Sequence, residues 1–216
     1  MANIFLTSAL SFVAKDLAKH LNSKTCPEHS DGVKKFLFIT TASEIEEGDK
    51  TWLQKDRDSM IDLGYELEDY TLTDKTKEQI VESLSGVDGI IMTGGNTFYL
   101  LWRIQQSDSA EIIKKFVQNG GVYIGSSAGS MVAGPDIYVT REKKEFDSVP
   151  DIKDFKGLAI TDLMIQPHWG SEHFKKSYLN EIMKHSYTPG FKQILLSDNQ
   201  YVIDLGFQKY QIIDVK

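Results

Sequence analysis

Short apolar runs alternate with amphipathic segments over the first 125 residues of the chain. Residues 36–40 are an almost continuous apolar run, which is typical of a strand covered on both faces of a sheet. Residues 11–22 instead carry apolar side chains one helical turn apart, behind a serine, which predicts a capped amphipathic helix. Further strands are predicted at 3–7, 65–70, 87–92 and 122–124. Further helices are predicted between them, at 49–63, 75–84, 98–106 and 108–119. This alternation favours an α/β fold with a mainly parallel central sheet flanked by helices.

The pattern is less regular after residue 125. We expect strands at 137–140, 163–166 and 193–196 and a helix at 171–185. Two further strands, 201–205 and 210–215, are expected to form a C-terminal hairpin that turns near Gly206. Residues 141–156 are charged and are predicted to form an excursion from the fold, and residues 25–31 a polar linker. No repeat or shift in composition marks a boundary, so one domain over residues 1–216 is expected.

Composition narrows the function classes. With 41% hydrophobic and 25% charged residues the chain matches a globular protein that builds a core. A net charge of −7 argues against nucleic acid or an anionic membrane as partner. The single cysteine, Cys26, excludes an internal disulfide framework, and no H-E-x-x-H metal motif is present. The start of the chain has no basic segment before an apolar one, so we expect a cytoplasmic location. The expected oligomeric state is a monomer or a homodimer.

A complete G-x-S-x-G motif, Gly125-Ser126-Ser127-Ala128-Gly129, follows the strand predicted at 122–124. In such a motif the serine occupies a sharp strand-to-helix turn that holds its hydroxyl clear of the backbone. The two glycines leave no side chain to collide with the neighbouring strand or helix. The N–H of Ala128, in the first turn of the next helix, is directed at a developing oxyanion. We therefore interpret Ser127 as a nucleophile rather than as part of a glycine-rich surface loop.

A serine nucleophile needs a base, and His168 is the best placed of the five histidines. It follows a predicted strand and a proline at the carboxyl edge of the sheet, while the others lie in predicted helices or the linker: His20, His29, His173 and His185. A carboxylate must then orient the imidazole. Asp198, directly after a predicted strand, fits that role, and Glu142 is its competitor. The chain order Ser, His, Asp disfavours an α/β-hydrolase, in which the acid precedes the histidine.

Gly94 and Gly95 lie between a predicted strand and a predicted helix. A backbone N–H there is suited to be the second oxyanion donor. Two glycines ahead of a helix also suit a phosphate, but no P-loop lysine follows them. Nucleotide binding is therefore the weaker interpretation.

Three segments occur in this order along the chain: Thr93-Gly94-Gly95-Asn96-Thr97-Phe98, Tyr123-Ile124-Gly125-Ser126-Ser127-Ala128-Gly129 and Gln166-Pro167-His168. Together they resemble the peptidase E family of serine dipeptidases, family S51, which also includes cyanophycinases, and the likeness extends over most of the chain. The resemblance implies a fold akin to class I glutamine amidotransferase domains. It also implies a role for each matching residue: Ser127 as nucleophile, His168 as base, and Gly95 with Ala128 as oxyanion donors. Asp198 falls where the family places its triad carboxylate, and Glu142 falls near an acidic residue with an active-site role.

The segment after the histidine departs from the pattern of peptidase E, which prefers an N-terminal aspartate and has arginines there. This chain has Lys175 and Lys176, which attract a carboxylate only as point charges, with Arg141 as a third candidate contact. The predicted function is a serine peptidase of short peptides with at most a weak preference for N-terminal Asp, and with no metal or organic cofactor. An esterase or amidase using the same triad, or a non-catalytic small-molecule-binding protein, are the alternatives.

Overall fold

The structure of the protein is a computed structural model that describes residues 3–21, 32–187, 190 and 192–216. Its strands are β1 (Ile4–Thr7), β2 (Lys35–Ile39), β3 (Glu66–Tyr70), β4 (Gly89–Met92), β5 (Val122–Ser126), β6 (Leu163–Gln166), β7 (Lys192–Leu195), β8 (Gln200–Asp204) and β9 (Tyr210–Asp214). Its α-helices are α1 (Leu10–Leu17), α2 (Thr51–Ile61), α3 (Lys77–Ser85), α4 (Thr97–Gln106), α5 (Ala110–Gln118), α6 (Ala128–Ala133), α7 (Lys143–Asp147), α8 (Lys175–Ser177) and α9 (Met183–Ser186). The predicted linker at 25–31, with Cys26 and His29, lies outside the described residues.

The main sheet has seven strands in the order β3-β2-β4-β5-β1-β8-β9. The first five are parallel to one another, whereas β8 pairs antiparallel with β1 and with β9. The predicted mainly parallel sheet is therefore confirmed, and the hairpin at the end of the chain extends it. Strands β6 and β7 pair with each other as a separate parallel ribbon.

Helices cover both faces of the main sheet. Alternate residues of each strand point to opposite faces, so that neighbours such as Phe5 and Leu6 enter different core layers. Phe5 packs in the layer that contains α1 and Met60 of α2. Leu6 packs in the larger layer, which contains α3 to α6 and the β6–β7 ribbon. Burial on both faces accounts for the continuous apolar run at 36–40, as the sequence predicted.

Two predicted elements in the second half are wrong in detail. The segment predicted as a strand at 137–140 is a 3₁₀-helix, Tyr138–Thr140. The Thr140 hydroxyl and N–H both donate to the Ile137 carbonyl, at 2.7 and 3.0 Å, which closes a turn instead of extending the chain. The helix predicted at 171–185 begins only at Lys175, and its middle, Tyr178–Ile182, is a π-helix.

The carboxyl ends of the strands bring five separate parts of the chain to one edge of the fold. β1 leads to Ser8, β4 to Gly94, and β5 to Ser127. The β6–β7 ribbon adds His168 and Asp198, because the pairing continues beyond both strands: Leu196 N–H donates to Gln166 O at 2.9 Å and Trp169 N–H to Leu196 O at 3.0 Å. An open α/β sheet binds its ligands at this edge.

Candidate active site

Ser127 lies in the turn between β5 and α6, with φ 49° and ψ −109°. These angles are outside the regions that a non-glycine residue usually adopts, so surrounding contacts must hold the residue there. Its N–H donates to Thr7 O at 3.1 Å, and its own carbonyl accepts from Ser130 N–H at 2.9 Å. A strained serine fixed between a strand and a helix is the geometry of a nucleophile elbow.

The two glycines of the motif are required by close packing. A Cβ on Gly125 would lie 2.7 Å from the Ser130 nitrogen, inside the turn of α6. A Cβ on Gly129 would lie 1.9 Å from the carbonyl oxygen of Met92, at the end of β4. Both distances are too short for real Cβ contacts. Glycine is therefore required at both positions because neighbouring backbone atoms leave no room for a side chain.

His168 and Asp198 continue a chain of hydrogen bonds that starts at Ser127. His168 Nε2 lies 2.9 Å from Ser127 Oγ, and His168 Nδ1 lies 2.7 Å from Asp198 Oδ1. The hydrogen bond from His168, followed by that from the Ser8 hydroxyl, holds the pKa of Asp198 below its usual range, although partial burial opposes this. An ionised carboxylate only accepts, so the imidazole proton belongs on Nδ1, which leaves Nε2 free to accept the Ser127 proton.

Ser8 is a member of this group that sequence reasoning missed. Its side chain is fully buried, and its hydroxyl donates to Asp198 Oδ1 at 2.7 Å. Ser8 Oγ also accepts a hydrogen bond from the backbone N–H of His168, at 2.6 Å. The available signal was position alone, since Ser8 directly follows the strand predicted at 3–7 and so lies at the carboxyl edge.

Gly95 belongs to the glycine loop after β4, and Ala128 directly follows Ser127. Gly95 has φ +128°, and a Cβ there would lie 2.3 Å from Ala42 O. A Cβ on Gly94 would lie 3.3 Å from Ser127 Cβ, which places the glycine loop beside the elbow. Among the described residues, no hydrogen bond leads from the N–H of Gly95 or Ala128 to an acceptor. Both donors are available to a substrate oxygen near Ser127.

Asp56, one turn after Trp52 on α2, is a second residue that the sequence prediction overlooked. Its carboxylate is buried beneath the elbow, where it accepts from Ser126 Oγ at 2.9 Å and from Ser11 N–H at 2.8 Å. Burial raises its pKa, and these hydrogen bonds oppose the shift. The same contacts correct the predicted serine cap of α1: Ala9 is the N-cap residue, and Asp56 and Ser126 satisfy the first helical N–H groups.

The structure does not place the remaining candidates in contact with Ser127, His168 or Asp198. Glu142 accepts from Ser177 Oγ at 3.0 Å, and no hydrogen bond joins it to His168 in the described part of the chain. Lys175 pairs with Glu172 at 3.0 Å, and both lysines, 175 and 176, are exposed. The Arg141 guanidinium lies 4.3 Å from the centre of the Phe146 ring.

The family model of Peptidase family S51 matches residues 4–208. The chain belongs to family S51. An uncharacterized peptidase of Pasteurella multocida is 30% identical over 181 residues, covering 82% of this chain and 87% of its own. Peptidase E of a Nostoc species is 31% identical over 137 residues, covering 63% of this chain and 53% of its own.

Solved structures share the S51 fold of this chain. A protein of Listeria monocytogenes EGD-e, described as a candidate peptidase E, superposes with a TM-score of 0.83 at 23% identity over the full length of both chains. A peptidase from an acI-B1 actinobacterium gives a TM-score of 0.67 at 22% identity, covering 98% of this chain and 86% of that one. The predicted α/β fold and family are therefore confirmed. No helix within the described residues has the length and apolar character needed to cross a membrane.

Aromatic side chains flank the S51 motifs. Phe174 stacks on the His168 ring with centroids 4.4 Å apart and planes 10° apart. Trp52 Cζ3 lies 3.3 Å from the position that a Gly94 Cβ would take, and Trp52 is 37% exposed. The sequence prediction assigned neither of these two aromatic residues to the site.

The charged excursion at 141–156 folds over the glycine loop of the S51 site. Asn96, which caps α4, donates from Nδ2 to Glu145 O at 3.2 Å and to Ser148 Oγ at 2.9 Å. Glu145 Oε2 accepts a long hydrogen bond, 3.4 Å, from Thr97 N–H. Burial, together with the nearby Glu142 carboxylate, raises the pKa of Glu145 to about 8.

This raised pKa predicts a pH dependence of stability. The folded chain keeps the Glu145 proton up to a pH of about 8, whereas the unfolded chain loses it near the ordinary value of 4.5. Because the unfolded state binds fewer protons between those values, the free energy of unfolding falls as pH rises through this window. Glu145→Gln should therefore melt on the order of 10 °C above wild type at pH 8.5, and the difference should shrink toward pH 5.

Thermal unfolding of both proteins at several pH values tests this expectation. The exposed Glu172 provides the control, because Glu172→Gln removes the same charge without burial. We expect no pH-dependent difference for that variant. An equal response of the two variants would contradict a buried, protonated Glu145.

Proposed function

We propose that the protein is a serine-type peptidase that hydrolyses short peptides through Ser127, His168 and Asp198. One observation carries the proposal: the unbroken hydrogen-bond chain from Ser127 Oγ through both imidazole nitrogens to Asp198 Oδ1, with Ser127 held in an elbow. Membership of family S51 supports peptidase chemistry. We assign Gly95 and Ala128 as the oxyanion donors.

In the proposed reaction Ser127 Oγ attacks the scissile carbonyl carbon while His168 Nε2 takes the hydroxyl proton. The carbonyl electrons move to the oxygen, which the N–H groups of Gly95 and Ala128 stabilise. The C–N bond then breaks as His168 returns the proton to the leaving amine. Water repeats the sequence on the acyl-enzyme and releases the acid. Asp198 keeps the imidazole in the required tautomer throughout and stabilises its charged form. None of these steps requires a metal or an organic cofactor.

Dipeptides and tripeptides are the proposed substrates, in keeping with the activity that the S51 resemblance implies. Phe174 stacks on the His168 ring, and Trp52 packs against Gly94, the glycine next to Ser127. The loop that contains Asn96 is covered by the excursion. Such a site suits a short chain better than a folded protein, so we expect folded proteins to be left intact.

We expect at most a weak preference for an N-terminal aspartate. Lys175 is exposed and already paired with Glu172, and Arg141 stacks on Phe146. An exposed lysine contributes only about 0–1 kcal/mol to binding a carboxylate, so the advantage of Asp should be about five-fold or less. The measurement is kcat/KM for dipeptides that begin with Asp, Glu, Asn and Leu and share one leaving residue. A hundred-fold advantage for Asp would reveal a dedicated carboxylate pocket.

A fluorophosphonate probe tests the function independently of the natural substrate. Attack by Ser127 forms an Oγ–P bond and expels fluoride, and His168 takes the serine proton. We expect one label per chain, on Ser127, together with turnover of at least some members of a dipeptide library. Labelling with ester turnover but no dipeptide turnover would favour an esterase. Absence of both labelling and turnover would favour a non-catalytic binding protein.

A further inference from the structure

The buried hydroxyl of Ser8 makes contacts that the three triad residues do not account for. It lies at the end of β1, which pairs with β5 on one side and β8 on the other. Its side chain is fully buried, so no solvent competes for its hydrogen bonds. Its oxygen lies 2.7 Å from Asp198 Oδ1, 2.6 Å from the His168 backbone nitrogen and 3.3 Å from His168 Nδ1.

Counting donors fixes the direction of these contacts. A serine hydroxyl has one hydrogen and two lone pairs. The backbone N–H of His168 has only a hydrogen to give, so Ser8 must accept there. Asp198 is ionised and can only accept, so the single hydrogen of Ser8 must be directed to Oδ1. The hydroxyl thus joins the acid and the main chain of the base through two different bonds.

Both bonds act directly on the proposed base and the proposed acid. His168 has φ 61°, a left-handed conformation that is uncommon for a residue with a side chain. The bond from its N–H to Ser8 helps to fix this conformation and, with it, the direction of the ring. Asp198 lies in a turn after β7, and the contacts with His168 and Ser8 hold its Oδ1 in place.

We propose that Ser8 is a positioning residue of the active site, which sets the orientation of His168 through its backbone and of Asp198 through its carboxylate. This inference rests on the proposed serine-peptidase function. Ser8 touches no reacting atom; it acts by keeping Nδ1–H directed at Oδ1 and Nε2 directed at Ser127. Loss of the hydroxyl leaves a buried N–H unpaired and a carboxylate with one donor fewer, which weakens the alignment of the base.

The experiment compares Ser8→Ala with wild type in the rate of fluorophosphonate labelling. We expect the rate constant to fall about 10- to 100-fold, the range expected for removing one hydrogen bond to a charged group. The final extent of labelling should stay at one per chain, because the variant is folded but misaligned. With dipeptides, kcat should fall and KM should change little. Ser109→Ala deletes the same oxygen from another fully buried serine, the α5 cap, whose hydroxyl contacts Ser107 Oγ and Ile104 O, and should label at the wild-type rate.

A spectroscopic readout separates positioning from simple loss of packing. The proton resonance of His168 Nδ1–H, which reports the bond to Asp198, should change in Ser8→Ala and stay unchanged in Ser109→Ala. If Ser8→Ala does not fold, Ser8→Cys keeps a similar shape with only a weak donor and should show the same reduced rate. Wild-type rate and resonance in either folded Ser8 variant would overturn the proposal. A wild-type protein that takes up no label would instead overturn the proposed function itself.

Discussion

Ser127→Ala should lower kcat for dipeptide hydrolysis by about 10⁴-fold or more, without loss of the folded state. The substitution removes the one atom that forms the acyl-enzyme, Oγ, and leaves His168 with no proton to accept. The turn itself should persist, since its backbone bonds to Thr7 O and from Ser130 N–H do not involve the hydroxyl. The residual activity expected for Ser127→Ala is that supplied by the oxyanion donors and by substrate binding alone.

The measurement is steady-state kinetics on the best dipeptide, with circular dichroism to verify folding. Ser109→Ala serves as the matched control, since it deletes the same atom at a buried position away from the site. That control should keep wild-type kcat. Activity of a clean Ser127→Ala preparation within about a hundred-fold of wild type would exclude an acyl-enzyme on Ser127.

The elbow could be predicted from sequence because its requirements are local. The motif places glycine two residues before and two residues after the serine, where a Cβ would collide with Ser130 N in the following turn and with Met92 O on the neighbouring strand β4. His168 was predictable as a residue directly after a strand and a proline, although that strand, β6, belongs to the separate β6–β7 ribbon and not to the main sheet. Neither prediction depended on contacts between distant side chains.

Ser8 could not be predicted in the same way because its partners are distant in sequence. It is separated from His168 by 160 residues and from Asp198 by 190. They meet because β8, which pairs with β1, begins just after Asp198, and because the β6–β7 ribbon carries His168 to the same place. A serine after a strand is common, and nothing in its neighbours distinguishes this one.

Asp56 did leave a signal in the sequence. It occupies an apolar-stripe position of a predicted helix, together with Leu53 and Met60, where a charged residue is unusual. Such an acid must be buried with partners, and the structure supplies them as Ser126 Oγ and the first turn of α1. The irregular second half gave no comparable signal, since the π-helical segment at Tyr178–Ile182 has no distinct periodicity over five residues.

Asp198→Asn should lower kcat by about 10²- to 10⁴-fold while the fold is retained. The Ser8 hydroxyl and His168 Nδ1 both contact Oδ1, each at 2.7 Å, so an asparagine has two possible orientations there. With its carbonyl oxygen in this place it keeps both bonds without the charge; with its NH₂ group there, Nδ1 must accept and the ring proton moves to Nε2. Nε2 then cannot accept the Ser127 proton. The neutral amide also no longer stabilises the imidazolium that forms during attack.

Glu142→Gln is the matched comparison, because it makes the same chemical change at the competing carboxylate. Glu142 accepts from Ser177 Oγ at 3.0 Å, and a glutamine retains an oxygen for that bond. We expect kcat of this variant to stay within about ten-fold of wild type. Its partner, the Ser177 hydroxyl, is neutral, so replacing the charged acceptor by a neutral amide oxygen weakens that bond only slightly. Both variants are compared on one dipeptide and in fluorophosphonate labelling. A larger loss for Glu142→Gln than for Asp198→Asn would transfer the acid role to Glu142, since the bond from His168 Nδ1 to Asp198 would then be dispensable for catalysis.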